Sequence, residues 1–244
     1  MRVAVISDIH ANLAALEATL SALEDERPDA TWCLGDLVGY GPRPNECCAR
    51  VAEIADVCLI GNHDLGVLEE IALDEFSFEA AASARWTQGV LDERARDYLA
   101  GLSPAAEIPD VGAELYHASP RDPVWEYVIT EETALDALES TIAPVVLVGH
   151  SHIALAITLS DGRLEGDLAP GGTEVGLNSG RWLLNPGSVG QPRDGDPRAA
   201  WLELDLPSGQ ARFERVPYDI ARTQAEIRER VLPEALAERL SHGA

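Results

Sequence analysis

Five of the six histidines in the sequence stand in or beside polar clusters that could bind a metal ion. The residues of these clusters that could act as ligands or react are Asp8, His10, Asp36, Asn62, His63, His117, His150 and His152. Imidazole nitrogens, carboxylate oxygens and an amide oxygen, with no thiolate among them, suit a borderline to hard divalent ion such as Mn, Fe, Zn, Ni or Co. One such histidine alone would more often be structural, but the whole group together predicts a metal site.

The size of the group favours two ions over one. The full set of ligands would crowd a single ion, whereas two ions that share one carboxylate can accommodate it. Asp36 is the natural shared ligand, because a carboxylate has two oxygens to offer. Two-metal sites with ions about 3.5–4 Å apart are suited to the hydrolysis of phosphate esters. The clusters therefore predict a cofactor of two divalent metal ions and hydrolytic chemistry.

Short apolar runs that are typical of buried strands precede these clusters. The run Val3–Ile6, for example, ends at Ser7 and Asp8. The predicted strands cover residues 3–6, 31–34, 57–60, 114–117, 145–148, 154–159, 182–184 and 200–204. Strands that alternate with helices indicate an α/β domain, and ligands of such sheets gather at the carboxyl ends of the strands. We therefore expect the five histidines to converge.

Helical patterns fill much of the remaining chain. Leucines at helical spacing predict a helix over 12–26, and a second helix is expected around 44–54. Residues 66–102 show helical patterns only and are expected to form a helical insertion, and a charged amphipathic segment spans 219–240. No linker long enough to separate domains occurs, so residues 1–244 are expected to form a single domain.

The charge of the chain argues against polyanionic partners. There are 42 Asp and Glu residues against 18 basic residues, all of them arginine, which gives a formal net charge of -24. Such a surface repels DNA, RNA and anionic membranes. We therefore expect no nucleic acid polymer and no membrane as partner, while a small anion is not excluded. The sequence gives no signal for an oligomeric state.

We find no pattern in the sequence that is typical of a targeting signal. No apolar stretch approaches the ~20 residues that a membrane-spanning helix needs, and the run at 3–6 is too short for a signal peptide. The four cysteines have neither zinc-site nor disulfide spacing, so we expect them to be reduced. These patterns predict a cytoplasmic location.

The clusters also resemble the motifs of a known family. They are Asp8-Ile9-His10, Gly35-Asp36-Leu37-Val38-Gly39, Gly61-Asn62-His63-Asp64, His117 and Gly149-His150-Ser151-His152. In type and order they resemble those of the calcineurin-like metallophosphoesterases, especially the small bacterial phosphodiesterases and phosphatases, from residue 1 to about 205. The resemblance implies a four-layer αββα sandwich of two mixed β-sheets flanked by helices.

The same resemblance implies roles for individual residues. The ligands implied for one metal are Asp8, His10 and His152, and those for the other are Asn62, His117 and His150, with Asp36 bridging the two. His63 resembles the residue that protonates the leaving group. The implied reaction is hydrolysis of a small phosphomonoester or phosphodiester, with a metal-bridging hydroxide as the nucleophile.

Two arginines are candidates to bind the phosphate of the substrate. Arg121 follows Ser119-Pro120, and Arg193 follows Gln191-Pro192, so both are predicted in loops next to motif segments. A guanidinium can bind two phosphate oxygens at once. A surface ion pair is the alternative for each of them.

One motif departs from some branches of the family. Val38-Gly39-Tyr40-Gly41 stands where the phosphoprotein phosphatases and the symmetrical dinucleoside tetraphosphate hydrolases carry Asp-Arg-Gly, so the carboxylate that orients their catalytic histidine is absent here. Two other functions remain open. One is a slow or inactive metal-binding scaffold or interaction protein of the same fold. The other is a DNA nuclease, which the acidic composition opposes.

Overall fold

Two six-stranded mixed sheets and eight α-helices make up the computed structural model, which describes residues 1–244. The strands are β1 Arg2–Ile6, β2 Ala30–Cys33, β3 Val57–Cys58, β4 Ala105–Ile108, β5 Ala113–Tyr116, β6 Val145–Leu147, β7 Leu155–Ser160, β8 Arg163–Leu168, β9 Glu174–Gly176, β10 Arg181–Asn185, β11 Ala199–Asp205 and β12 Gln210–Val216. The helices are α1 Leu13–Glu26, α2 Pro44–Ile54, α3 Asn62–Val67, α4 Phe78–Val90, α5 Glu93–Ala100, α6 Glu131–Glu139, α7 Ile220–Glu229 and α8 Glu234–Glu238.

Each sheet contains a block of parallel strands extended by antiparallel ones. The first sheet has the order β3-β2-β1-β11-β12-β9, in which β1, β2 and β3 are parallel. The second has the order β4-β5-β6-β10-β7-β8, in which β5, β6 and β10 are parallel. Each block therefore has all its carboxyl ends at one edge.

The alternation of side chains along β1 explains the layering. Val3 and Val5 belong to the core between the two sheets, whereas Ala4 and Ile6 belong to the core beneath the helices. All four are fully buried. Burying an aliphatic side chain of this kind contributes roughly 1.5–3 kcal/mol, so a strand buried on both faces holds helices and sheets together. The predicted α/β sandwich of two mixed sheets flanked by helices is confirmed.

Some elements differ from the sequence prediction. The strand expected at 57–60 is only two residues long, and beyond it Leu59 makes an isolated bridge to Ser103. The prediction from the sequence did not include β4, β8, β9, β12, α3 and α6. The segment 66–102 contains α4 and α5, and 219–240 contains α7 and α8. No helix combines the length and apolar character that a membrane crossing demands.

Candidate metal centre

The loops that follow the parallel strands of both sheets meet at one site. The residues in these loops are, from the first sheet, Asp8, His10, Asp36, Asn62 and His63, and, from the second, His117, His150 and His152. Asn62 and His63 are the exceptions to the loop positions, because they lie in the first turn of α3, the element that follows β3. None of the eight exposes more than 5% of its surface. The structure thus brings together every predicted ligand and the predicted proton donor.

Two groups of ligand atoms share Asp36. The first subsite, as we call it, consists of Asp8, His10 and His152 with Asp36, and their ligand atoms all lie within 4.8 Å of one another. The second subsite consists of Asn62, His117 and His150, again with Asp36. Within it the ligand atoms of Asp36, His117 and His150 meet the same limit, and Asn62 Oδ1 lies 3.3 Å from His117 Nε2.

Carbonyl groups of the backbone orient three of the imidazoles. Nδ1 of His10 lies 3.0 Å from the Val38 carbonyl, and Nδ1 of His152 lies 2.6 Å from the Gln191 carbonyl. Nδ1 of His117 is likewise 2.8 Å from a carbonyl, that of Leu34. Since Nδ1 must carry the proton to donate to a carbonyl, each Nε2 faces the cluster as a free lone pair.

The ring nitrogens that carry no proton face one another and the carboxylate oxygens. Nε2 of His10 and Nε2 of His152 are 3.0 Å apart, a repulsive contact between two lone pairs. Oδ2 of Asp36 lies 3.5 Å from His10 Nε2 and 3.6 Å from His117 Nε2. Oδ1 of Asp8, Oδ2 of Asp36 and Nε2 of His150 are buried and have no hydrogen-bond partner.

The other oxygen of each carboxylate is held by the protein. Oδ2 of Asp8 accepts hydrogen bonds from the Ser7 hydroxyl at 2.6 Å and from the His150 amide at 3.2 Å. Oδ1 of Asp36 accepts one from the His63 amide at 2.9 Å. One oxygen of each carboxylate is therefore fixed, and the other is left for a ligand.

Burial shifts the pKa values of these groups away from the charged forms. It raises the pKa of Asp8 to about 7 and the pKa of Asp36 well above the ordinary value. It also lowers the pKa values of His10, His150 and His152 well below the ordinary value. A cation bound among these groups would favour the charged form of the carboxylates and so lower their pKa values. Buried carboxylates, each with one oxygen that lacks a partner, beside inward-facing neutral imidazoles fit a pair of divalent ions.

The loops hold an unusual backbone conformation at the ligands. Asp8, His10, Asp36, His150 and His152 all have φ between 48° and 63°, in the left-handed region that non-glycine residues occupy only at a cost. Hydrogen bonds between loops, such as His10 N to the Asp36 carbonyl at 2.9 Å, maintain these conformations. Strain at so many ligands is typical of a site shaped for function.

Glycines of two motifs allow the loops to approach the carboxylates. A β-carbon at Gly61 would collide with Oδ1 of Asp36, and one at Gly149 would collide with the Ser7 hydroxyl. The motif pattern therefore has a steric reason at these two positions. Asp64 adds a clamp, because its carboxylate accepts hydrogen bonds from the Val38 and Gly61 amides, each at 3.0 Å.

Aromatic packing, rather than a carboxylate, orients His63. Its Nδ1 is buried and has no hydrogen-bond partner. The ring centroid lies 4.3 Å from that of Tyr40, 4.9 Å from that of His10 and 5.0 Å from that of Phe76. Burial lowers the pKa of His63 well below the ordinary value, so the imidazole is neutral near pH 7.

The two candidate arginines have different surroundings. Arg193 donates to the Tyr40 hydroxyl at 3.3 Å, and its positive charge lowers the pKa values of His63 and His152. Arg121 is 42% exposed and forms ion pairs with Glu126 and Asp136. The structure therefore brings Arg193 to the site and engages Arg121 elsewhere.

Several residues at the site carry no sequence signal. Tyr127 stacks on His150 with ring centroids 4.0 Å apart, although no motif marks its segment. Trp125 packs edge-on against Phe76 at 5.3 Å. These rings form an apolar wall beside the second subsite. Their contacts join segments far apart in sequence, which periodicity and motif spacing do not report.

Comparison with known families and proteins gives concordant results. The sequence model of the calcineurin-like phosphoesterase superfamily domain matches residues 1–206. The crystal structure of a metallophosphoesterase from Sphaerobacter thermophilus is 40% identical in sequence, with a TM-score of 0.90, and the match covers 100% of this chain and 99% of that one.

Two curated proteins are similar in sequence. The uncharacterized protein MJ0912 of Methanocaldococcus jannaschii is 36% identical, over 99% of this chain and 98% of its own length. A symmetrical bis(5'-nucleosyl)-tetraphosphatase of Klebsiella pneumoniae is 30% identical over 143 residues, which are 57% of this chain and 43% of that enzyme.

Proposed function

The chain belongs to the calcineurin-like phosphoesterase superfamily, and we propose that it hydrolyses a small phosphate ester with the help of two divalent metal ions. The observation that carries this proposal is the pair of ligand groups that share Asp36. Buried polar atoms without partners are costly, and a bound cation would offset that cost; a shared carboxylate is the feature that two-metal hydrolases need.

The proposed ligands divide between the two subsites. Asp8, His10 and His152 would hold one ion, Asn62, His117 and His150 the other, and Asp36 would contact both. When bound, the ions supply charge neutralisation for the phosphate and an activated water as nucleophile. The chain itself contributes a rigid arrangement of donors, so that little reorganisation is needed when the ester binds.

His63 is the proposed donor to the leaving oxygen. Its ring is fixed by the rings of Tyr40, Phe76 and His10, so its hydrogen-bonding edge has a set direction. The imidazole is neutral in the free protein, and the negative charge of a bound phosphate ester would favour the imidazolium, whose proton can pass to the leaving oxygen as the bond to phosphorus breaks. Proton donation to a leaving group contributes about 10²- to 10⁴-fold to rate.

Arg193 is the proposed phosphate-binding arginine. Its Nη2 donates to the Tyr40 hydroxyl and to the Gln191 side chain, which together fix the direction of the guanidinium. Its Nε is buried and has no partner, so a donor is left for an anion. The aromatic wall of Phe76, Trp125 and Tyr127 would exclude water beside the bound ester.

The test is hydrolysis by the Mn²⁺-loaded protein of p-nitrophenyl phosphate, phenyl phosphate and bis(p-nitrophenyl) phosphate, which also separates monoesterase from diesterase activity. The wild type should turn over at least one of them. His63→Ala should keep its metal content by elemental analysis and lose about 10²- to 10⁴-fold on phenyl phosphate. The loss on p-nitrophenyl phosphate should be smaller, because that leaving group needs less protonation.

His242→Ala, which changes an exposed histidine near the end of the chain, is the matched control and should behave like the wild type. Equal losses of His63→Ala on both monoesters would contradict the proton-donor role. A wild type that binds two metals and hydrolyses none of the esters would instead support the alternative, a metal-binding scaffold of the same fold.

A further inference from the structure

Two arginines share one side-chain oxygen at the edge of the first subsite. Oε1 of Gln191 accepts a hydrogen bond from Arg193 Nη2 at 2.9 Å and another from Arg239 Nη1 at 3.2 Å. Neither guanidinium forms an ion pair with a carboxylate. Both side chains are half-buried, and Gln191 is 2% exposed. Two like charges are thus held together by a neutral amide.

Holding two guanidinium groups close together without a carboxylate costs the protein free energy when no ligand is bound. Burial and the nearby charge of Arg193 lower the pKa of Arg239, and the charge of Glu79 only partly opposes this. None of the 42 acidic residues of the chain forms an ion pair with either arginine. Guanidinium groups left together without a carboxylate offer several donors to an anion.

The pair extends outward from the proposed metal centre. The charge of Arg193 acts on Asp8 and His152 of the first subsite. Arg193 also lies over the Tyr40 ring, 5.7 Å from its centroid, and that ring is 4.6 Å from the ring of His10. The groups whose charges act on the pKa of Arg239 are Arg193, Tyr40 and Glu79, and none of them is a proposed metal ligand.

We propose that Arg193 and Arg239 together bind a second phosphate group that is joined directly to the one hydrolysed. The preferred substrates would then be esters with adjacent phosphates rather than simple monoesters. This inference rests on the proposed function and names the substrate class of the same site. Arg239 lies outside residues 1–206, the part of the chain that matches the family. The second-phosphate subsite would therefore be built by a segment that the family domain does not include.

The test compares two inhibitors that the enzyme does not hydrolyse, methylphosphonate and methylenediphosphonate, at one fixed concentration of free Mn²⁺. Inhibition constants are measured against p-nitrophenyl phosphate, and binding is measured by calorimetry. The wild type should bind the diphosphonate at least tenfold more tightly. Arg239→Ala should weaken diphosphonate binding about tenfold, the size of one lost charge-assisted hydrogen bond, and methylphosphonate binding less than threefold.

Two further variants control for charge and folding. Arg230→Ala removes an exposed arginine of the same C-terminal segment and should leave both constants unchanged. Arg239→Lys should recover part of the preference, because it keeps the charge without the planar fork. Chelation of Mn²⁺ by the diphosphonate acts equally on all variants and cancels in the comparison.

The inference is overturned if the wild type binds both phosphonates equally or if Arg239→Ala weakens both to the same extent. A lower unfolding temperature of Arg239→Ala with an unchanged preference would assign Arg239 a structural role and also overturn it. Failure of the proposed function looks different, because the wild type would then hydrolyse no ester. In that case calorimetry still measures whether the protein binds methylenediphosphonate more tightly than methylphosphonate.

Discussion

The two subsites differ in the charge that the protein places around them. The first has a carboxylate of its own, Asp8, in addition to the shared Asp36. The second has only neutral ligands, an amide oxygen and two imidazoles, besides Asp36. Attraction between a dication and a carboxylate is strong where water is excluded. We therefore expect the first subsite to bind a divalent ion more tightly than the second.

The two sheets also contribute different types of ligand to the site. All the carboxylates of the site come from loops of the first sheet, whereas the second sheet contributes imidazoles only. His152 crosses this division, because it follows β6 of the second sheet and yet lies in the first subsite with Asp8, 3.4 Å away. Neither sheet alone could form a complete subsite.

The largest effect is expected for a substitution that affects both subsites at once. Asp36→Asn removes the charge that both subsites share, so both should lose affinity, and turnover should fall by 100-fold or more (on the order of the loss known for weakened metal sites). Elemental analysis of the purified variant should find less metal than in the wild type. Asp25→Asn, on the exposed side of α1, is the control. Unchanged metal content would refute the shared role of Asp36.

A pair of variants should separate the subsites. In a calorimetric titration of metal-free protein with Mn²⁺, Asp8→Asn should abolish the tighter binding step, and His117→Ala should abolish the weaker one. The physical reason is the extra carboxylate of the first subsite. Activity should fall in both variants, because the proposed chemistry needs both ions. If His117→Ala removed the tighter step instead, the ranking of the subsites by charge would be wrong.

The carboxylate of the first subsite should also destabilise the protein when metal is absent. Burial raises the pKa of Asp8 to about 7, whereas an aspartate in an unfolded chain titrates near ~4. Between these values the native chain keeps a proton that the unfolded chain has released. The metal-free fold should therefore lose stability as pH rises from about 4 to 7.

Asn cannot ionise, so metal-free Asp8→Asn should be the more stable protein at pH 8. We expect its unfolding temperature to exceed that of the metal-free wild type by several degrees, at about 2–4 °C per kcal/mol, with a much smaller difference at pH 5. Calorimetry at both pH values checks this, and saturating Mn²⁺ should reverse the order. A difference that is independent of pH would contradict the raised pKa of Asp8.

The smallest effects concern the arginines beside each subsite. Arg193 adjoins the first subsite, and Arg121 lies in the loop that covers the second, where Glu126 and Asp136 already engage it. Arg193→Ala should raise the KM for p-nitrophenyl phosphate about tenfold. Arg121→Ala should change it less than threefold. The opposite order would favour Arg121 as the phosphate-binding residue.

Local patterns in the sequence predicted the framework of the site. Each motif follows an apolar strand, as Asp8 follows β1, and chain direction then determines that the motifs meet. What escaped prediction lacks such a pattern. β8, with the sequence RLEGDL, is an exposed edge strand without an apolar run, and β9 has only three residues. β12 does alternate buried and less buried side chains, so a stricter search for period two could have found it.

Contacts between distant segments account for the rest of what was missed. The stacking of Tyr127 on His150 and the bond between Gln191 and Arg239 depend on tertiary structure, not on spacing. The pairing of Arg121 with Asp136 is equally invisible in a single sequence. The sequence therefore identifies both arginines as candidates to bind the phosphate, but only the contacts around them show which one lies at the site.

The position of Arg239 has a consequence for how such proteins can diversify. Every proposed metal ligand lies between residues 8 and 152, whereas α7, α8 and Arg239 lie in 217–244. This terminal segment packs against Tyr40 through an apolar cluster that includes Ile227 and Leu236. On the proposals above, the metal ligands and the residue that selects for a second phosphate would thus be encoded largely in separate stretches of one gene. Exchange of 217–244 with the corresponding segment of a relative would then change the part of the preference that depends on Arg239, while the proposed metal ligands and Arg193 stayed in place.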